Sequence, residues 1–299
     1  MISTISHTIT ESVLASICLF IVVVIVTRKA AVFRNSFFIL FVATGIADLV
    51  SFPANLVLRL NRELGLSEDF RSVILLCMML RSITFVAHLI GNTLLKFNRY
   101  SAVCHMMSYN EIWTPRKVAI SIFVQYILAI VPFAHLIRAK LTYTENSDGT
   151  VTFEGLDKTA NMINRCIYIG VSVSYLIACV SLYGKLLVER HRVTKRSGTL
   201  ERDHREKGLL LSVILTFIGT AMSCSQQLVK AFAVMTNDKE LDAWATMQHF
   251  WINDVMVAIP PFSLLLLCSN LRQEIINLLY KRRSCRVLLV NAAPASRIK

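Results

Sequence analysis

The sequence predicts an all-α membrane protein, a bundle of seven transmembrane helices. Its 299 residues are 55% hydrophobic and only 17% charged, and the mean hydropathy is +0.55. A soluble domain carries about a quarter charged residues. Seven apolar runs are each long enough to cross about 30 Å of hydrocarbon. These runs and their short connections account for nearly the whole chain.

The seven predicted spans follow one another with short polar connections. We place them at residues 11–27, 37–60, 72–97, 118–138, 162–188, 208–235 and 246–268. Backbone groups in lipid need partners within their own segment, and no run shows the alternation typical of a barrel, so helices are expected. Residues 1–270 are therefore expected to form the seven-helix domain, and residues 271–299 a tail.

The basic residues predict the direction of the helices. Consecutive connections alternate between the two sides of the membrane. Most of the 32 Lys and Arg residues lie on the side that holds the connections 28–36, 98–117 and 189–207 and the tail. Short loops rich in Lys and Arg stay in the cytoplasm. The N-terminus is therefore expected outside and the C-terminus in the cytoplasm. Because topology accounts for the net charge of +13, nucleic acid is not expected as a partner.

The tail is predicted to begin with a short amphipathic helix. Apolar side chains recur at helical spacing and a basic run follows them: Leu271, Ile275, Leu278, Leu279, Lys281, Arg282 and Arg283. Such a helix lies along the inner leaflet, where its cations meet anionic membrane lipid. Cys285 is a candidate for palmitoylation, and an unmodified cysteine is the alternative.

Polar side chains inside the spans indicate where a ligand binds. Arg81, His88, Asn92 and Arg99 recur at helical spacing on one face of the third span, which is expected to point into the bundle. Asp254 of the seventh span has about the same depth as Arg81. We expect these two residues to pair or to contact a polar ligand. The alternative is that Arg81 extends outward to the interface.

The predicted ligand-binding set adds one residue each from the sixth and seventh spans. Its members are Arg81, His88, Asn92, Gln227, Trp251 and Asp254. His88 has the alternative of a hydrogen-bonded packing residue, and Trp251 that of a member of the interfacial aromatic belt. The chain shows no Cys/His metal spacing and no catalytic cluster. Neither a metal, a cofactor nor an enzymatic activity is expected.

Two short motifs resemble those of G protein-coupled receptors. Asn98-Arg99-Tyr100 ends the third span and resembles the Asp-Arg-Tyr triplet, and Ala47-Asp48-Leu49 resembles the Ala-Asp pattern of the second span. The resemblance implies that the triplet faces the G protein, with Arg99 as the switch residue, and that Asp48 holds an internal polar network. The alternatives are an ordinary cytoplasmic arginine and a buried carboxyl satisfied by its neighbours.

A closer resemblance is to the nematode serpentine chemoreceptors, particularly class gamma and its relatives, among them class v. The residues that carry it are Phe97-Asn98-Arg99-Tyr100-Ser101-Ala102-Val103, Ile112-Trp113, Arg34-Asn35-Ser36-Phe37-Phe38, Ile46-Ala47-Asp48 and Pro260-Pro261-Phe262-Ser263-Leu264-Leu265. It implies a chemosensory receptor in the plasma membrane, with sensory cilia as a candidate location. The implied partners are a small-molecule or pheromone-like ligand and a heterotrimeric G protein.

The chain departs from the rhodopsin-like pattern at several positions. The sixth span has Cys224-Ser225-Gln226-Gln227 in the region of the Cys-Trp-x-Pro switch, and the seventh has no Asn-Pro-x-x-Tyr. Cys77 and Cys166 are candidates for a substitute disulfide, with two unpaired thiols as the alternative. The competing function is a transporter or ligand-gated channel. Internal repeats and interrupted helices favour a transporter, but we find no repeat and expect one break, at Pro260-Pro261.

Overall fold

A computed structural model describes residues 2–28, 31–64, 68–145, 151–197, 203–269 and 271–278. In chain order its α-helices are α1 (Ile2–Thr27), α2 (Ser36–Leu64), α3 (Arg71–Cys104), α4 (Tyr109–Ile112), α5 (Pro115–Ile130), α6 (Lys158–Ser197), α7 (Asp203–Thr236) and α8 (Lys239–Leu267). Short 3-10 segments cover Ala31–Arg34, Glu68–Phe70 and Val131–Arg138, and two strands are β1 (Leu141–Glu145) and β2 (Val151–Leu156).

Six of the predicted spans each lie within a long helix to within one residue, the first three in α1 to α3 and the last three in α6 to α8. The fourth, 118–138, begins in α5 and continues through the 3-10 segment Val131–Arg138. Six segments of the described chain are long and apolar enough to cross a membrane: Ile5–Thr27, Ser36–Asn61, Arg71–Cys104, Pro115–Arg138, Lys158–Leu186 and Glu240–Leu266. α7 is not among these six segments. A helical membrane protein is thus confirmed, while the count of seven spans stays a prediction.

Two helices begin where the sequence supplies an N-cap. The Thr114 hydroxyl accepts a hydrogen bond from the Lys117 backbone N–H at 3.4 Å, and Pro115 is the first residue of α5. Proline suits that position because its φ is fixed and its missing N–H has no helical partner there. Asp238 caps α8 by accepting from the Leu241 backbone N–H at 3.0 Å.

The proline that coincides with a change in helix type is Pro132, and not Pro260 or Pro261 as expected. α8 continues through Pro260 and Pro261 to Leu267, so the predicted break is wrong. The backbone changes instead at Val131, where α5 gives way to the 3-10 segment that carries Pro132 in its first turn. Pro132 has no N–H to continue the α-helical hydrogen-bond ladder.

A β-hairpin between α5 and α6, which was not predicted, interrupts an otherwise helical fold. β1 and β2 pair antiparallel, with Leu141 opposite Leu156 and a bulge between Thr142 and Tyr143. Both leucines are buried against the apolar core of α3, α5 and α6. The signal missed in the sequence is a pair of Thr-, Tyr-, Val- and Phe-containing runs on either side of Asp148-Gly149, which is typical of hairpins.

The long helices form a closed ring in the order α1, α2, α3, α6, α7, α8, because each packs against the next and α8 returns to α1. α5 lies outside the ring, against α2 and α3. At Gly91, α3 approaches both α2 and α5 closely. A Cβ added there would lie 2.1 Å from Thr44 Oγ1 and 2.7 Å from Gln125 Nε2. α3 thus packs against three helices, its ring neighbours α2 and α6 and the outer helix α5.

The predicted tail helix is only partly within the described residues. Residues 271–278 are helical. Leu271 is fully buried, and Ile275 and Leu278 pack against the same apolar cluster, which also contains Trp113 and Leu264. The tail helix therefore packs against the bundle, and its place on a membrane surface stays a prediction. Leu279, the basic run at 281–283 and Cys285 lie outside the described residues.

Candidate functional site

A cluster of charged and aromatic side chains, all buried except the exposed Trp251 and the half-buried Arg81, lies at the end of the bundle where α1 and α3 begin and α2 ends. We name it the Asp254 cluster, and its members are His7, Glu11, Arg59, Arg81, Phe250, Trp251 and Asp254. The Arg59 guanidinium donates to the Glu11 carboxylate in a buried ion pair between α2 and α1. Removing one partner of such a pair strands a charge in a low dielectric.

α8 supplies the second carboxylate and two rings of the Asp254 cluster. Asp254 Oδ2 lies 3.6 Å from His7 Nδ1, and the His7 ring lies 3.8 Å from the Trp251 ring, between centroids. Phe250 is approached by two cations, with Arg59 Cζ at 5.3 Å and Arg81 Cζ at 4.8 Å from its centroid. Because an aromatic face attracts cations, this ring links α8 to α2 and α3.

The structure brings Arg81 and Asp254 into one cluster but forms no ion pair between them. Asp254 faces His7 and shares a side-chain hydrogen bond with the Glu11 carboxyl. The Arg81 guanidinium lies over Phe250, one helical turn before Asp254. Arg81 therefore stays within the bundle instead of extending to the interface. The sequence gives the depth of a residue along its helix, but its partner also depends on how the helices are rotated.

His7, Glu11 and Arg59 were missed in the sequence. Glu11 is the first residue of the predicted span 11–27, and Arg59 is next to last in 37–60, so both are at span ends in that prediction. α1 begins at Ile2 and α2 extends to Leu64, which places both side chains well inside their helices. The usable signal is an ionisable residue in an apolar run, since such residues face a protein interior or a cavity.

Asp48, His88 and Asn92 form a hydrogen-bonded chain in the middle of the bundle, which we name the Asp48 chain. His88 Nδ1 lies 2.7 Å from Asp48 Oδ1, and His88 Nε2 lies 2.8 Å from Asn92 Nδ2. An amide nitrogen only donates, so Nε2 accepts from Asn92 and Nδ1 carries the proton donated to Asp48. His88 and Asn92, two members of the predicted ligand set, are thus hydrogen-bonded within the bundle. His88 donates to Asp48, the carboxylate of the predicted internal network.

Gln227 joins a third polar group, which links α6, α7 and α8. Its Oε1 accepts from Arg165 Nη1 at 2.9 Å. His249 Nδ1 lies 3.3 Å from Gln227 Nε2 and 3.3 Å from Gln226 Oε1. That ring nitrogen either accepts from Gln227 or donates to Gln226, depending on its tautomer. Arg165 and His249 were not predicted, although both are polar residues within predicted spans.

The opposite end of the bundle holds a fourth group, the Asn98 cluster, made of Asn35, Ser36, Asn98, Ser101, Tyr109 and Trp113. Asn98 Nδ2 donates to Ser36 Oγ at 3.2 Å. The Tyr109 hydroxyl lies 3.3 Å from Asn98 Oδ1 and 3.1 Å from Asn35 Oδ1. Asn98 thereby ties the end of α3 to the start of α2 and to α4.

Ser101 and Trp113 complete the Asn98 cluster. The Trp113 indole N–H donates to Ser101 Oγ at 2.6 Å, and that hydroxyl donates to the Asn98 carbonyl at 2.9 Å. Both side chains are buried. The connection between α3 and α5 is therefore fixed to α3 by hydrogen bonds as well as by apolar packing.

The three residues of the Asn98-Arg99-Tyr100 triplet have different surroundings. Asn98 is buried in its cluster, and the Arg99 guanidinium lies over the Phe37 ring, 4.8 Å from its centroid. Tyr100 contacts the His105 ring at 5.7 Å between centroids. Arg99 and Lys96 also line a small cavity of about 40 Å³ between the helices, with no carboxylate in its lining. Arg99 and Lys96 thus face a cavity whose described lining contains no acidic residue.

Cys77 and Cys166 are both free thiols, Cys77 buried and Cys166 exposed. The candidate disulfide is therefore not formed, and the alternative of two unpaired thiols describes the structure. Among the described residues, no group of three or more His, Cys, Asp or Glu side chains is placed to hold a metal ion.

A family model described as "Serpentine type 7TM GPCR chemoreceptor Srv" matches residues 8–281. No curated protein matches the chain. The resemblance to serpentine chemoreceptors is confirmed, and the matching class is Srv, which was named among the relatives of class gamma, while class gamma itself is not supported. The matched range includes α2 to α8 and the part of α1 that follows His7, and therefore every member of the four polar groups described above except His7.

Proposed function

Because the chain belongs to the Srv family of serpentine seven-transmembrane chemoreceptors, we propose that it binds a small extracellular ligand and signals to a heterotrimeric G protein. Seven helices cross the plasma membrane in this proposal, α7 included. The N-terminus lies outside and the C-terminus in the cytoplasm, with sensory cilia as a candidate location. The Asp254 cluster then lies toward the extracellular side and the Asn98 cluster toward the cytoplasm.

The observation that carries the proposal is the course of α3 through the bundle. This helix contributes Arg81 to the Asp254 cluster and Asn98 to the Asn98 cluster. Between them it contributes His88 and Asn92 to the Asp48 chain. A ligand shifts a conformational equilibrium when it binds one arrangement of the helices better than another. A change of α3 at its ligand end is then transmitted to its cytoplasmic end.

The predicted ligand set separates into two groups under this proposal. Arg81, Trp251 and Asp254 belong to the Asp254 cluster and are proposed to contact the ligand. His88, Asn92 and Gln227 already have hydrogen-bond partners inside the bundle. We propose that these three respond to the ligand through changes in their hydrogen bonds.

The cytoplasmic end is proposed to contact the G protein through the triplet at the end of α3. Arg99 and Lys96 give the small cavity a positive charge, which suits an acidic group of a partner. Asn98 and Tyr100 flank Arg99, and Asn98 holds α3 against α2 and α4. Arg99 changes partners on activation, leaving the Phe37 ring for the G protein.

Arg99→Ala tests the coupling part of the proposal. We expect it to reduce G protein activation by about tenfold, since coupling free energies between two sites correspond to roughly 5–150-fold. Basal and library-stimulated activation is measured in a heterologous cell at equal surface expression. Arg116→Ala is the matched control, because Arg116 is an exposed arginine on the same side of the bundle.

Activation that Arg99→Ala and Arg116→Ala leave equally intact would contradict the role of Arg99. Ligand-dependent current without any G protein activation would instead indicate a channel.

A further inference from the structure

The small cavity beside Lys96 and Arg99 lies between helices of the ring. Its lining comes from α2, α3, α6, α7 and α8, and its volume is about 40 Å³. A single water molecule needs about 10–15 Å³ of such space. The cavity therefore has room for a few waters or for one monatomic ion, but not for a large organic group.

Lys96 and Arg99 bring two positive charges to this cavity. The Lys96 ammonium donates to the Tyr175 hydroxyl and, at 3.1 Å, to Cys179 Sγ. An ammonium has three N–H donors, so one of them remains. The Arg99 guanidinium has five N–H donors, and the Phe37 ring that it covers accepts through its face. Both cations therefore retain donors for an acceptor in the cavity that they line.

The described residues around Lys96 and Arg99 supply no negative charge. Apart from each other, the titratable groups that interact electrostatically with the two cations are Cys179, Tyr183 and Cys268. Thiols and phenols are ordinarily neutral at pH 7. Like charges one helical turn apart repel each other, and a charge inside a protein is stabilised mainly by a partner of opposite sign. The pair of cations therefore favours an anion in the cavity.

The rest of the lining combines neutral polar groups with apolar walls. Asn92, Thr216 and Ser263 place an amide and two hydroxyls around the cavity, from α3, α7 and α8. Asn92 Nδ2 uses one of its two hydrogens on His88 Nε2, which leaves the other. Most of the remaining lining residues are aliphatic or aromatic. Donors on several sides of a small space suit a spherical anion, which accepts hydrogen bonds from any direction.

We propose that the small cavity binds a chloride ion between the Lys96 ammonium and the Arg99 guanidinium. Chloride neutralises part of the charge of the two cations and holds α3 in the arrangement in which Arg99 covers Phe37. The inference deepens the proposed function and rests on it for its consequence: chloride occupies, in the resting receptor, the cations that are proposed to receive an acidic group of the G protein.

Replacing one anion by another tests the proposal on the purified full-length chain in detergent micelles. Thermal unfolding is measured in sodium chloride, sodium bromide and sodium gluconate at the same ionic strength of about 0.15 M. Gluconate is too large for the cavity, whereas bromide is close to chloride in size. A ligand that binds only the folded state raises the Tm. We expect chloride and bromide to raise the Tm by a few degrees over gluconate, and the effect to saturate as chloride replaces gluconate.

Lys96→Met removes one cation of the site and keeps an unbranched side chain. It is expected to abolish the Tm difference between chloride and gluconate. The variant should fold, because it removes a cation that has no carboxylate partner among the described residues instead of stranding one. Arg116→Ala is the matched control, since it also removes one positive charge but at an exposed position. Its Tm difference should equal that of the unsubstituted chain.

A saturable chloride effect that Lys96→Met abolishes and Arg116→Ala retains supports the proposal. Equal Tm values of the unsubstituted chain in chloride and gluconate overturn it, with water as the content of the cavity, and that result needs no variant. A chloride effect that survives Lys96→Met, or that both variants lose, also overturns it, because another site or the net charge then accounts for the effect. Lys96→Gln takes the place of Lys96→Met if the latter does not fold. The proposed receptor function is judged separately, by G protein activation and Arg99→Ala.

Discussion

Residues in the spans show which part of a polar site the sequence can predict. Arg81 and Asp254 were found because ionisable residues in apolar runs are rare, and both belong to the Asp254 cluster. Their pairing was wrong because the rotation of α3 and α8 places Phe250 beside Arg81 and His7 beside Asp254. His88 was assigned to the ligand set, but it is hydrogen-bonded to Asp48. The sequence does not show that the face of α2 carrying Asp48 points toward His88.

The Glu11–Arg59 ion pair should be essential to stability although neither residue was predicted. We expect Arg59→Met to destabilise the protein by about 3–5 kcal/mol, because it leaves the Glu11 carboxylate buried without its partner. Adding Glu11→Gln should recover part of that loss. Thermal unfolding in detergent micelles measures both, with Arg138→Ala at an exposed position as control. A loss from Arg59→Met no larger than the control's would show that the pair contributes little.

At the scale of the elements, hydropathy predicts where the helices are but not their local deviations. The predicted spans other than the fourth fall inside long helices to within one residue, because about 20 apolar residues are needed to cross the hydrocarbon. Pro132 and Pro260 show what that signal omits. Only Pro132 coincides with a change from α to 3-10 helix, and α8 accommodates Pro260-Pro261 without ending. The β-hairpin was missed because a search for long apolar runs passes over strands of five or six residues.

Gly91 sets how closely α3 approaches α2 and α5. Gly91→Ala should destabilise the bundle by about 1–3 kcal/mol, since overpacking a well-packed core costs that much, and its Cβ would meet Thr44 and Gln125. Gly170→Ala is the matched control on α6, where an added Cβ meets nothing within 4 Å. That variant should be neutral or stabilising, because alanine favours a helix. Equal Tm values for the two variants would show that α3 has room to move at Gly91.

At the scale of the whole molecule, composition and charge predicted more than any motif did. A mean hydropathy of +0.55 and basic connections on one side gave the membrane class and an orientation. The motifs gave the serpentine chemoreceptor family, which the match over residues 8–281 confirms, but they did not distinguish class gamma from its relative Srv. A triplet such as Asn98-Arg99-Tyr100 is short and depends on depth in a helix, so it distinguishes broad families better than classes.

The orientation itself can be measured on intact cells. An epitope tag before Met1 should bind antibody without permeabilisation, and a tag after Lys299 only after it, because the basic connections hold their side in the cytoplasm. A third tag within residues 146–150 of the hairpin connection should behave like the first. Labelling of both terminal tags on intact cells would rule out an odd number of spans.

The ion pair between α1 and α2 also bears on how the chain enters the membrane during synthesis. A lone arginine at the centre of a helix costs about 3 kcal/mol in translocon-mediated insertion. Glu11 and Arg59 lie on consecutive helices, so each neutralises the other once both helices have left the ribosome. α1 and α2 should therefore partition into lipid together, as a helical hairpin. A truncated chain that ends before Arg59 would have to insert with Glu11 unmatched.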